Sequence, residues 1–518
     1  MHADLSRSTF RPERHYSAVV AQQGRVQLDA DLNEQAAIQL HQVRTRTADL
    51  IGRHGGPRDA TGFRIEYVGG KHDIDTLYIH GGRYYVDGIL CDADLPAPQV
   101  PVPDEDDTAA DRQPASAQPY WDYWNQPDGF RDPERPGDRL PSPGRSPFVV
   151  YLTVWERTVS AAEDPALREV ALGAALPDTA VRAKVVWQVL PLSLGELEIE
   201  DADPSKEVVR AAFDRWAQRR AAPAARLAAR AERPEHADEE PCLVRPDARY
   251  RGQENQLYRV EVHAGGTAQD ATFKWSRENG SVVFPVDGLD GTWVELATLG
   301  LDGKLDLDVG DLVEFTDTAY SSRLDALPLL RVEELDLPGR RVRLSAEPDP
   351  RVGRLPQLHP FLRRWDHRGG PRRKGRTAAL DGGAIPVTEG EWLPLEDGVE
   401  VYFAADGGYR TGDHWLIPAR TATGGVDWPV DPARRPLLRA PAGIDRHYAP
   451  LALVKGEESA VDLRLAFGPL AGSIPAADEA TLAAEASAAR EERTAEADLS
   501  GGRSQTTAAA EAAVEGDE

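Results

Sequence analysis

The sequence predicts a mainly β protein with minor α content, and three observations lead there. Residues 257–263 (LYRVEVH) alternate apolar and polar side chains with the period of a strand. Asp87-Gly88 and Asn279-Gly280 are turn dipeptides flanked by strand-forming residues. Short apolar runs separated by turn signals recur between Thr292 and Leu344, the spacing of a small barrel or sandwich. The expected architecture is several small antiparallel β-barrel or sandwich domains, an N-terminal capped helix and a mid-chain surface helix.

Residues 1–56 read as an arm followed by a helix. Asp31 and Glu34 stand at capping-box spacing, which makes Asp31 the expected N-cap. Leu32, Ala36, Leu40, Val43 and Leu50 follow helical periodicity up to Gly52, a natural stop. Residues 57–147 read as β-hairpins turning at Gly81-Gly82 and Asp87-Gly88, followed by a linker dense in proline from residue 96. Within it Tyr120, Trp121, Tyr123 and Trp124 need something to pack against.

Residues 148–290 form a β domain in this reading. Apolar strands begin at Phe148 and Arg182, and a helix is inserted over 204–233, ended or kinked at Pro223. Phe213, Trp216 and Leu227 give that helix a thin apolar face. Two strands should flank Asn279-Gly280, the strongest hairpin signal in the chain. A small barrel-like domain over 291–350 and a β-rich region over 351–470 follow. Residues 471–518, rich in Ala and Glu and free of aromatics, are expected to be disordered.

The 518 residues carry a formal net charge of −26. That excludes an electrostatic nucleic-acid binder, which needs clustered Lys and Arg, and suits docking onto basic protein surfaces. The basic residues are mostly arginine, favouring planar, bidentate pairing with carboxylates. Cys91 and Cys242 lie too far apart in sequence to suggest a disulfide framework or a zinc site. The N-terminus lacks the apolar core of a signal peptide, and the chain has no apolar run of the roughly 18 residues a spanning helix needs. Cytoplasmic synthesis and assembly are therefore expected, with exit by lysis or as part of a particle, and without membrane insertion.

Several constellations invite chemistry. Asp29, Asp31 and Asn33 alternate as at the start of a calcium loop, but Glu34 stands where its glycine belongs and Leu40 where its bidentate glutamate belongs. A helix start explains them more simply. Asp302, Asp306 and Asp308 fit the wet face of a strand. His263, His367, His414 and His447 are candidate bases read as structural, because no serine or cysteine sits in a nucleophile elbow. Glu156, Glu163, Asp164, Glu169 and Asp178 are possible paired carboxylates of glycosidase type, with a separation the sequence does not fix. No cofactor motif is present.

Eight ordered segments carry a resemblance: FRPERHYS (10–17), QGRVQLDADLNE (23–34), YLTVWER (151–157), REVALG (168–173), DTAVR (178–182), GQENQLYRVEVH (252–263), ATFKWSRENGS (271–281) and GYRTGDHWLIPAR (408–420). Together they resemble a family of bacterial proteins of unassigned function, encoded near contractile injection and phage-tail-like genes, some of which carry a β-helix region after this module. The likeness spans roughly residues 5–468. This chain has Leu32 where the family usually has Trp, and residues 174–177 look inserted.

The resemblance implies a non-catalytic structural subunit of a tail-like injection particle: a baseplate, collar, cap or fibre-attachment protein. Its partners would be other particle subunits and further copies of itself. Arg25, Leu28, Leu32 and Glu34 of the arm and helix, with Tyr120, Trp121, Trp124 and Trp275, are the candidate interface residues. The alternatives are a carbohydrate- or receptor-binding module using an aromatic β face near Trp275 and Trp293, and a hydrolase.

Overall fold

The computed structural model describes residues 2–69, 75–95, 120–143, 146–173, 177–201, 203–232, 250–299, 305–369, 379–456 and 459–470, with the backbone of 372–373 and 376–377. The expected disorder after residue 471, Cys242 and Asp302 lie outside these residues, as does the linker over 96–119.

The longest strands explain the most apolar sequence. Phe148–Val159 and Arg182–Ser193 pair antiparallel along their whole length, from Phe148 opposite Ser193 to Val159 opposite Arg182. Phe148, Val150, Leu152 and Val154 point into one core with Phe63, Leu77, Tyr84 and Trp187. Val149 and Tyr151 point the other way, under the helix Lys206–Ala221 and its Phe213, Val209 and Ala217. Burial on both faces is why this strand reads as a continuous apolar run rather than an alternating one.

The other edge of Phe148–Val159 pairs with His447–Gly456, so this sheet joins the expected 148–290 and 351–470 segments. Leu227–Ala231 likewise pairs with Val399–Phe403. That pairing corrects the expected helix over 204–233. The helix ends at Ala221, Pro223 follows, and Leu227 lies in a strand. Ser205 caps the helix start, its side chain accepting from the amide of Val208.

The two glycine turns behave differently. Asp87 (φ 46°) and Gly88 (φ 80°) join Arg83–Val86 to Ile89–Asp92 as a two-residue hairpin with both central residues left-handed. At Gly81-Gly82 there is no hairpin, because Thr76–His80 pairs with Ile65–Val68 and Tyr120–Asp122. Here the chain crosses from one sheet to the next.

A closed six-stranded antiparallel barrel is built from Val283–Asp290, Trp293–Leu296, Leu312–Thr316, Leu329–Asp336, Arg341–Leu344 and Phe361–Trp365. Phe284, Val294, Val313, Phe315, Val332 and Leu362 fill it. It extends beyond the expected 291–350 at both ends. Closure needs Phe361–Trp365 between the first and third of these strands, which removes both open edges. The barrel's neighbour is a five-stranded sheet that includes Gln256–Ala264, Thr272–Ser276 and His414–Arg420, packed through Tyr258, Phe273 and Trp415 on Val399–Phe403.

Among the described residues no helix is long and apolar enough to cross a membrane.

Candidate functional site

The strand Gln256–Ala264 has one apolar and one polar face, as its alternation predicts, but both are buried. Tyr258, Val260 and Val262 enter the core. Arg259, Glu261 and His263 enter a charged layer between the sheet, the barrel and the N-terminal arm. Sheet register assembles that layer: Glu261 stands opposite Lys274 on one neighbouring strand and His414 on the other. Glu314 and Arg363, cross-strand partners in the barrel, supply the facing wall.

Glu261 is the hub. Its carboxylate accepts from Arg259 Nε at 2.5 Å and lies 2.8 Å from His2 Nε2, with Lys274 Nζ at 3.4 Å. Lys274 Nζ also donates to Glu314 at 3.0 Å and sits 4.3 Å above the Trp365 ring, whose Nε1 donates to Glu314 at 3.2 Å. Arg259, Glu261, His263, Lys274 and Glu314 are each 9% exposed or less. Burial works against ionising Glu261, but Arg259, His2 and Lys274 outweigh it and hold the carboxyl well below its usual range. Glu314 is treated the same way: burial opposes its charge, and Lys274 and Arg363 keep its pKa low. His263 is pushed down to about 4 by burial and the nearby Lys274. Both acids, Glu261 and Glu314, are thus held as charged partners of the surrounding cations.

The arm closes the layer. Asn279 Nδ2 donates to the carbonyl of Ala3 at 2.8 Å, and Arg259 Nη1 donates to Asn279 Oδ1 at 3.3 Å. Asn279 (φ 53°) and Gly280 (φ 65°) have the left-handed geometry of a tight turn. They join no hairpin: Thr272–Ser276 belongs to the sheet and Val283–Asp290 to the barrel. The turn is the corner between the two, and a Cβ on Gly280 would meet the His2 ring at 2.7 Å. Beneath the arm lies a cavity of about 300 Å³. Glu156 and Glu163 also line it, held by Arg44 (2.6 and 2.9 Å) and Arg157 (2.6 Å). His414 and His447 line it too, with Nδ1 directed at Gly412 O and Asp87. His367 instead contacts the Gly383 carbonyl and is pushed down to about 4, chiefly by burial.

The helix Asp29–Ile51 starts two residues before the expected cap. Leu28 is the N-cap and has no side-chain oxygen to offer. Asp31, at the third helical position, accepts from the Leu28 amide at 3.2 Å instead. Asp29 accepts from the Ser6 amide and hydroxyl, and Glu34 accepts from Thr9. Asp29, Asp31 and Asn33 therefore lie along a helix, where about 100° per residue turns Asp31 away from the other two. Asp306 and Asp308 lie in a turn region rather than on the predicted strand face.

Of the four candidate aromatics, Tyr120, Trp121 and Trp124 are partly exposed and Trp275 is buried. Trp275 is 4% exposed and sits in the core. Trp121 and Trp124 pack on the first core and donate to the Ala93 and Asp75 carbonyls. Tyr120 stacks on Tyr78 at 4.2 Å. Arg25, Leu28 and Leu32 are exposed, while Glu34 is partly covered by its bond to Thr9.

The apolar stripe of the helix faces outward. Leu28, Leu32, Leu40, Val43 and Leu50 are 47–66% exposed, and Ala36 between them is also exposed. The inward side carries the buried Ala30 and Ile38, and Arg44 reaching Glu156. The preceding arm continues the pattern with Tyr16, Val20 and Val26, at 56–84% exposure.

These features define a β-rich protein of several small sheets and a closed barrel, with a buried ionic layer between one sheet and the barrel and an exposed apolar stripe on its first helix. The chain belongs to a family of unknown function, DUF6519, whose profile matches residues 1–227 and 193–460. Comparison with curated proteins and with solved structures returns no match.

Proposed function

We propose that this protein is a non-catalytic structural subunit that assembles with further copies of itself through its N-terminal arm and first helix. The observation that carries the proposal is the outward stripe from Leu28 to Leu50, about 33 Å long at 1.5 Å per residue. A row of exposed apolar side chains along one side of a helix marks an interaction site. Charge favours a second copy as the occupant. Residues 2–28 hold four arginines (Arg7, Arg11, Arg14, Arg25) against Asp4 and Glu13, on a chain whose net charge is −26. A basic, apolar arm on an acidic protein complements the surface of its own kind. The resemblance to proteins encoded with phage-tail-like contractile injection genes supports a place in such a particle, as a baseplate, collar, cap or fibre-attachment subunit.

Light scattering on the full chain and on a Leu32→Asp, Leu40→Asp double variant tests this. The expected result is an oligomer that falls to monomer in the variant, with unfolding stability within about 0.5 kcal/mol per substitution because both sites are exposed. A monomeric parent at tens of micromolar, or an unchanged oligomer in the variant, overturns it.

A further inference from the structure

The cavity beneath the arm leaves several buried hydrogen-bond donors without a partner among the described residues, and at its centre cations outnumber carboxylates by one. Most of its acids are committed: Glu156 to Arg44, Glu163 to Arg157, and Asp325 to Arg135 and Arg323. Asp445 is exposed at its rim. At its centre Arg259, Lys274 and Arg363 face two carboxylates, Glu261 and Glu314. Arg259 pairs with Glu261 and Lys274 bridges both acids. Arg363, the cross-strand neighbour of Glu314, is the one of these three cations with no ion pair among the described residues. Its guanidinium lies 5.3 Å from the Phe361 ring, and its Nε is buried with no hydrogen bond.

Four more buried polar atoms on the same lining make no hydrogen bond among the described residues: Arg157 Nε, Thr158 Oγ1, His263 Nδ1 and Ser321 Oγ. The two arginine nitrogens can only donate, and the hydroxyls and imidazole can donate. Buried polar groups left in this state are costly unless something occupies the space. An acceptor with one negative charge would match the extra cation at the centre. The remaining wall includes Leu5, Ile89, Leu324 and Ile444, so an apolar body also fits. About 300 Å³ is at the small end of ligand pockets.

We propose that this cavity binds a small organic monocarboxylate, with the carboxylate at Arg363, which shares the lining with the Ser321 and Thr158 hydroxyls, and its carbon chain against the apolar wall. The site is independent of the proposed assembly surface, because none of these residues belongs to the outward stripe.

Sodium butyrate is the probe, with sodium chloride at equal ionic strength and 1-butanol as controls, on the full chain. Saturable heat in calorimetric titration and a saturable rise in melting temperature are expected with butyrate, and neither with the controls. Arg363→Gln should weaken the apparent affinity at least tenfold, and Ser321→Ala by a smaller factor in a protein that stays folded if the arginine variant does not. An equal response to butyrate and chloride, or butyrate binding unchanged in the folded variants, overturns the assignment.

Discussion

The side-chain amide of Asn279 donates to the carbonyl of Ala3 across 2.8 Å, tying the start of the chain to the corner where the five-stranded sheet becomes the barrel. Asn279 is fully buried, and its carbonyl oxygen accepts from Arg259 in the same layer. Replacing Asn279 with Ala removes both contacts. The expected cost is about 1–3 kcal/mol, the penalty for orphaned buried partners. Hydrogen exchange should accelerate at Ser6, whose amide is held by Asp29, while the barrel strands stay protected. Unchanged exchange there would mean that the arm is anchored without Asn279.

His263 gives a pH dependence of defined sign. Its folded pKa is about 4, against about 6.5 in an unfolded chain. Between those values the unfolded state binds a proton that the native state refuses, so stability is full above about pH 6.5 and falls as pH drops toward 4. At pH 5 the loss is on the order of 2 kcal/mol. Urea unfolding of the parent and of His263→Asn at pH 7 and pH 5 isolates it. The parent should lose about that much more than the variant, and equal losses would mean that His263 titrates as an ordinary histidine.

Asp138 is a structural carboxylate that no motif marks. It accepts from Arg323 (2.8 and 3.1 Å), Arg131 (3.0 Å) and the Asp132 amide (3.0 Å), fastening the 120–143 segment to the short barrel helix Thr318–Arg323. Burial raises its pKa, and these donors outweigh that, taking it to about 2. Asp138→Asn removes the charge that two largely buried guanidiniums share, leaving Arg323 with Asp325 and Arg131 with Gln188, so a cost of roughly 3 kcal/mol is expected. It should appear as a lower denaturant midpoint at an unchanged slope.

Gly88 is fixed by contact as well as by conformation. Its φ is +80°, and an added Cβ would lie 2.2 Å from the Arg44 carbonyl of the first helix. Gly291 is also left-handed (φ +58°) but faces open space. Gly291→Ala should cost about 1 kcal/mol for backbone strain alone, whereas Gly88→Ala should cost clearly more. Equal melting temperatures for the two variants would show that the helix gives way at no cost.

Local order was legible in the residues themselves. The alternation of 257–263, the Asp87-Gly88 hairpin, the helix stop at Gly52 and the succession of short barrel strands follow from side-chain period and from left-handed turn positions. Tertiary structure decided what those elements meet. Alternation says that Arg259, Glu261 and His263 share a face, but not whether that face meets water or a layer of opposite charges, because both give the same period. Helical spacing placed Leu32, Leu40, Val43 and Leu50 on one stripe, and only packing turned the stripe outward while Arg44 turned inward to Glu156. The Asn279-Gly280 turn formed as its residues require, yet its flanking strands found partners at 385–386 and 361–365. Strand pairing is settled by closing sheets across hundreds of residues, where the hydrogen bonds and burial gained outweigh local turn preference.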